Sequence, residues 1–227
     1  FSKFVKKNYI SWFDPKANDK PLLSPAVFKN KVMPIINQGE KVVFILIDNL
    51  RFDQWRTIMP LLLEHYTLET EDLFYGIVPT ATQFARNAMF SGLMPSEIEK
   101  LFPGLWVGDD EEGGKNLHEK ELLELQLKRL GGPQKFYFEK YTTIKPGVRV
   151  VDTVSQMIEH ELSILIFNFV DMISHSRTEM DVIRELAADE SAYRSLTLSW
   201  FEHSSLFEVL KVLSSRKIKV VITTDHG

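Results

Sequence analysis

"KVVFILID", residues 41–48, decides the fold. From Val42 to Ile47 six apolar residues follow one another, four of them β-branched, with no polar residue in alternate positions. A half-exposed strand would alternate. A run like this one fits a strand covered on both faces, as in a parallel sheet between two layers of helices. The run stops on a carboxylate, Asp48.

Two further stretches share the pattern, "ILIFNFV" (164–170) and "KIKVVIT" (217–223). Between them, helical spacing of apolar residues predicts helices near 82–91, 153–161, 178–188 and 200–215, and "TLETEDLFY" (67–75) and "KFYFEKY" (135–141) read as additional strands. Strands alternating with helices define the α/β class, with a mostly parallel sheet flanked by helices. Residues 1–40 are polar and interrupted by Pro15, Pro21, Pro25 and Pro34, so they read as a helical linker or N-terminal extension. Within it Ser24-Pro25 reads as the N-cap and first turn of a short helix. Residues 41–227 then form the main domain, with an insertion around 100–134. In that insertion "GDDEEGG" (108–114) lacks the spacing of an EF-hand loop and reads as a solvated acidic turn. The following "EKELLELQLKRL" (119–130) reads as a packed amphipathic helix.

Composition narrows the function. The 227 residues are 44% hydrophobic and 26% charged, ordinary for a chain with one sizeable core. No window approaches the roughly 18 uninterrupted apolar residues of a membrane span, so no membrane insertion is expected. A net charge of −4 gives no electrostatic basis for broad nucleic-acid binding. The absence of cysteine removes disulfides and thiolate metal sites together, and tips the expected compartment towards the cytoplasm. Phe1 stands where an initiator Met would, so the sequence is expected to be a piece of a longer chain.

Ligands of open α/β sheets bind at the carboxyl ends of the strands. Here those ends carry Asp48, then Asp171 with His175 four residues on, then Asp225 and His226. An aspartate after a strand is by itself most often a helix cap. Three of them, two accompanied by histidine, point to a metal centre. Carboxylate and imidazole without thiolate suit zinc in a catalytic site, or manganese. The spacing of Asp171 and His175 puts both on one side of a helical turn. "IVPTATQFARNAMFSG" (77–92) leads from a proline-broken loop into a helix and offers Thr80 and Thr82 as nucleophiles. The helix start also suits a phosphate, because its amide groups point forward.

The ordered set "FILIDNLRFDQW", "VPTATQFARNAMFSG", "FNFVDMISHS" and "VVITTDHG" resembles the PglZ domain of the alkaline phosphatase superfamily, in particular the effector domain of PorX-type response regulators of Bacteroidetes. The resemblance implies an alkaline-phosphatase-like fold. It selects Thr82 over Thr80, because in relatives of the superfamily's nucleotide pyrophosphatase/phosphodiesterase branch the metal-bound threonine stands ten residues before the glycine that closes its helix, here Gly92. It implies two zinc ions, one held by Asp48, Thr82, Asp225 and His226, the other by Asp171 and His175. A further histidine of the second site would come from a segment after "TDHG", so the C-terminal part of the domain is expected to be missing and that site incomplete. His65, His118, His160 and His203 follow no strand end, though His118 or His203 is the fallback for that ligand.

The implied activity is that of a metal-dependent phosphodiesterase, with cyclic or short oligonucleotides as substrates. Asn87, Arg86 and Arg51 are the expected substrate-binding residues; Asn87 beside a threonine nucleophile leans towards diesters, while the two arginines suit a monoester. Also implied are an upstream phospho-receiver domain, a role as output domain of a two-component system controlling type IX secretion, and a homodimer. The alternatives are a phosphomonoesterase of the same superfamily and a non-catalytic PglZ scaffold in secretion control or phage defence.

Overall fold

The computed structural model describes residues 2–14, 16, 20–108, 114, 116–141 and 150–227, with backbone alone at 150–151, 177–179 and 182–184. Its strands are β1 (Val42–Ile47), β2 (Tyr137–Tyr141), β3 (Leu162–Phe167) and β4 (Lys219–Thr223). Among the described residues they form one sheet in the order β2-β3-β1-β4, every pair parallel. Phe44 lies between Ile164 of β3 and Val221 of β4, and that register carries the ends of the three strands to one edge.

The helices are α1 (Ser2–Asn8), α2 (Met33–Asn37), α3 (Phe52–Leu63), α4 (Thr82–Ser91), α5 (Pro95–Leu101), α6 (Glu119–Leu130), α7 (Val150–Met157), α8 (Phe169–Glu179), α9 (Asp181–Leu186), α10 (Glu190–Glu202) and α11 (Ser205–Leu213). They cover both faces of the sheet, as the unbroken apolar strands require. On one face Val43, Ile45 and Ile47 pack with Ile58, Leu62, Met157, Phe201 and Leu210. On the other Val42, Phe44 and Leu46 pack with Phe28, Met89, Phe90, Leu123 and Leu127. This two-residue alternation between cores is the strand period itself. Every residue of β1 and β3 is buried, and those of the edge strands β2 and β4 are half-buried.

The α/β architecture is as expected, and four local readings are corrected. Residues 67–75 form no strand: they meet the chain through a single bridge from Tyr75 to Leu23. Their acidic side chains hold them in place instead, with Glu71 on Arg56 at 2.6 Å, Asp72 on Lys31 at 2.7 Å, and Glu69 on Lys219. The helix expected over 178–188 is divided at Met180 between α8 and α9. The one expected over 200–215 is divided before Ser205, where the Ser204 hydroxyl accepts the Phe207 amide at 3.1 Å and starts α11 as its N-cap. Ser24-Pro25 opens the 3-10 turn Ser24–Ala26, with Leu23 and not Ser24 as its cap, and the chain continues helically through Phe28–Val32 into α2. Of the acidic turn at 108–114 only the two end glycines fall within the described residues. No helix among the described residues is long and apolar enough to cross a membrane.

Candidate metal centre

Asp48 follows directly on β1, and its amide donates to the Phe167 carbonyl of β3 at 2.8 Å. Asp225 and His226 follow β4. Because β4 and β3 flank β1, these residues meet at one end of the sheet. Ligand atoms of Asp48, Asp225 and His226 lie within 4.8 Å of one another, and among the described residues they are the only such group of three. Thr82 joins them from the first position of α4. Its Oγ lies 2.9 Å from His226 Nε2 and 3.4 Å from Asp48 Oδ1. His226 Nε2 is itself 3.4 Å from Asp48 Oδ1 and 4.0 Å from Asp225 Oδ1. Thr80 takes another course: its methyl lies beside Gly76, where a Cβ would approach to 3.3 Å.

The loop after β1 has a strained turn. Asn49 sits at φ 58°, the left-handed region that asparagine tolerates better than most residues. The turn aims its amide N–H at Asp225 Oδ1 (3.4 Å) and its side-chain amide at Asp171 Oδ1 (3.3 Å). Asp171 was expected at a strand end. It lies instead in the first turn of α8, two residues past the helix start. His175 follows one turn later, its Nε2 3.5 Å from Asp171 Oδ2 and its side chain 71% exposed. The pair shares a helix face as the spacing predicted, yet stands outside the three-residue cluster, tied to it through Asn49. Neither fallback histidine joins the cluster: His118 is the cap residue before α6, and His203 bonds the Ser199 carbonyl of α10. His160 bonds the Gln156 carbonyl of α7, and His65 packs on Phe207.

Arg86 departs most from expectation. Read as a substrate-binding residue, it has no exposed side-chain surface. It lies one turn after Thr82 on α4, and its guanidinium is enclosed by three carboxylates. Nη2 pairs with Asp48 Oδ2, Nε donates to Asp225 Oδ2 at 2.8 Å, and Nη1 pairs with Glu119 Oε1 at 3.2 Å. Glu119, first residue of α6, also receives Lys140 from β2 at 3.0 Å. Each aspartate therefore gives Oδ2 to Arg86 and turns Oδ1 towards Thr82 and His226. Arg51 also serves the protein. Its guanidinium bonds Asp53 at 2.9 Å and pairs with Glu190, over the Tyr193 ring. Asn87 is buried within α4.

The charges act on one another. Burial would raise the Asp48 carboxyl, but the hydrogen bond from His226 and the adjacent Arg86 outweigh it and hold it at about 2. Burial wins at Asp225, which is raised, with the Asp48 charge adding to the effect against Arg86. Burial would lower His226, but its hydrogen bond to Asp48 and the charges of Asp225, Asp48 and Asp171 raise it. The site thus gathers three carboxylates, Asp48, Asp225 and Glu119, around one buried guanidinium, with Lys140 on Glu119 and His226 on Asp48.

Residues 27–227 match the family described as the BREX system PglZ alkaline phosphatase-like domain. The chain belongs to the PglZ family. No curated protein matches it at a significant level. The family places this PglZ domain in an alkaline-phosphatase-like fold, with which its all-parallel, helix-flanked sheet agrees.

Metal binding is usual in that fold, and the donor set here fits a divalent cation. Donors about 2 Å from one tetrahedral ion stand roughly 3.3 Å apart, and the separations around His226 Nε2 run from 2.9 to 4.0 Å. Glu119, Lys140 and Asn49 were not foreseen as parts of the site. A signal existed only for Asn49, since an Asp-Asn pair after a strand suits a left-handed turn. Glu119 opens what reads as an ordinary packing helix, and only tertiary contact gives it a role.

Proposed function

We propose that this PglZ domain is a metal-dependent phosphoric ester hydrolase in which Thr82 is the nucleophile. The observation that carries the reading is the approach of the Thr82 hydroxyl to His226 and Asp48 at the amide-rich start of a ten-residue helix. A metal supports such a site by lowering the pKa of a bound hydroxyl and stabilising charge on the phosphate oxygens; Asp48, Asp225, His226 and Thr82 would hold one zinc, with Asp171 and His175 beginning a second site. Asp48 and His226 fix the Thr82 oxygen in place. The first amides of α4 face an incoming phosphate. The Thr82 oxygen, its proton given up to water, then bonds phosphorus as the ester oxygen leaves and takes up a proton; water then attacks the phosphorus, releasing a phosphate monoester and restoring the threonine hydroxyl.

A diester is the favoured substrate, with cyclic or short oligonucleotides as the class. Both candidate arginines are engaged within the protein, Arg86 by three carboxylates and Arg51 by Asp53 and Glu190, so they lend no support to binding the extra charge of a monoester. The motif resemblance supports a wider proposal, that this is the output domain of a cytoplasmic two-component regulator with an upstream phospho-receiver domain, acting as a homodimer.

The test is turnover of bis-p-nitrophenyl phosphate against p-nitrophenyl phosphate. Thr82→Val keeps the shape but offers no hydroxyl, and should abolish turnover while the circular dichroism spectrum is unchanged. Chelation should do the same, and zinc or manganese should restore activity to the parent alone. Turnover indifferent to both chelator and Thr82→Val would instead favour the scaffold reading.

A further inference from the structure

The loop that delivers Thr82 is held from one side by residues that precede the matched family segment. Residues 75–78 form a strap running past the end of β4. On its inner side a Cβ added to Gly76 would meet Thr80 Cγ2 at 3.3 Å and the Asp225 carbonyl at 4.0 Å, so the strap passes close to the site. On its outer side the bonds come from the N-terminal segment. The Val78 amide donates to Tyr9 Oη at 2.7 Å, four residues before the nucleophile. The Ile77 amide donates to the Ser24 hydroxyl at 3.2 Å, with Ser24 wholly buried. Tyr75 exchanges backbone bonds with Leu22 (2.9 Å) and Ser24 (3.2 Å). Buried Trp12 packs on the Tyr75 ring with centroids 4.7 Å apart, and Tyr9 is itself braced by Trp12 and Phe13. Tyr9, Trp12 and Ser24 all lie before residue 27, where the family match begins.

We propose that Tyr9, Trp12 and Ser24 are positioning residues for the nucleophile, clamping the 75–78 strap so that Thr82 stands at His226 and Asp48. A short strap offers little apolar surface of its own, and outside contacts must offset the entropy of fixing it. These contacts come from a segment that touches neither the sheet ends nor the ligand cluster through any of the bonds described. Displacement of the segment would therefore loosen Thr82 while leaving Asp48, Asp225 and His226 in place. The kinetic part of this inference rests on the reading of Thr82 as nucleophile; the structural part does not.

The experiment uses the whole chain with Tyr9→Phe, which removes one hydrogen-bond acceptor and keeps the ring packing, and Trp12→Ala as a stronger second variant. Amide hydrogen exchange at 75–82 should quicken by about two- to tenfold in Tyr9→Phe, and further in Trp12→Ala, while exchange in β1 and β3 stays unchanged. Zinc should still bind in calorimetry, because Asp48, Asp225 and His226 stay in place. Turnover of bis-p-nitrophenyl phosphate should show a lower kcat at constant KM. Unaltered exchange at 75–82 in both variants would overturn the clamp. Faster exchange with an unaltered kcat would overturn its positioning role. A parent chain with no turnover would count against the Thr82 reading, and the exchange measurement would still decide the clamp.

Discussion

At position 86 a guanidinium with no contact with water faces Asp48, Asp225 and Glu119. Two carboxylates aimed at one point repel each other, and burial sharpens the repulsion. Arg86 offsets it through the Oδ2 atoms and leaves the Oδ1 atoms facing Thr82 and His226. It thereby orients the candidate ligands, as outer-sphere partners commonly do at metal sites. Removing one member of a buried ionic network strands the others without compensation. Arg86→Met should therefore lower the unfolding free energy by about 3–5 kcal/mol, measured by urea denaturation in the presence of chelator. Zinc should recover part of the loss, because a cation can replace some of the missing positive charge. A loss below about 1 kcal/mol would mean that the three carboxylates relax into water, and the cage would then have no energetic meaning.

Helix α4 is the element on which the site turns. Thr82 opens it, Arg86 projects from it one turn later, and Gly92 ends it at φ 67°. The glycine is required twice over. Its backbone is left-handed, and a Cβ would meet the Gln126 side-chain oxygen at 2.7 Å. Gln126 cannot easily withdraw, since its amide donates to the Met89 and Phe90 carbonyls at 2.8 and 2.7 Å and satisfies the last turn of α4. Gly92→Ala should thus destabilise the chain by about 1–3 kcal/mol. A fall of a few degrees in Tm would register it, with tenfold or smaller change in zinc affinity because the ligand end of the helix is three turns away.

For the molecule as a whole, the strand order governs which chemistry is available. With β1 between β3 and β4, Asp48 has the Asp225-His226 pair on one side and the Asp171-His175 helix on the other. The first group offers four donors, two of them on buried aspartates, and the second two donors, with the His175 side chain exposed. Zinc should therefore fill the Asp48/Thr82/Asp225/His226 cluster first. Calorimetric titration should give one tight step, and any second step should be at least tenfold weaker and selectively removed by His175→Ala. Two equally tight sites would mean that another side chain completes the Asp171-His175 pair.

The sequence by itself determined the class of fold and the nature of the donors. Uninterrupted β-branched runs admit few structures other than strands covered on both sides, and aspartates at their ends are carried to the sheet edge wherever the strands fall. Local signals also sufficed for the start of α4 at Thr82 and for its end at Gly92. Tertiary structure alone decided the neighbours. Charge and spacing could not tell that 67–75 would be held by ion pairs with Arg56 and Lys31 and not by a strand ladder. Nor could they show that Arg86 would turn inward, because an arginine on a helix seeks either water or carboxylates. Asp48 and Asp225 are 177 residues apart in the chain, and Glu119 belongs to a different segment again. Only the packing of β4 and α6 around β1 and α4 brings all three to one guanidinium, and a buried charge is tolerable there because its partners arrive with it.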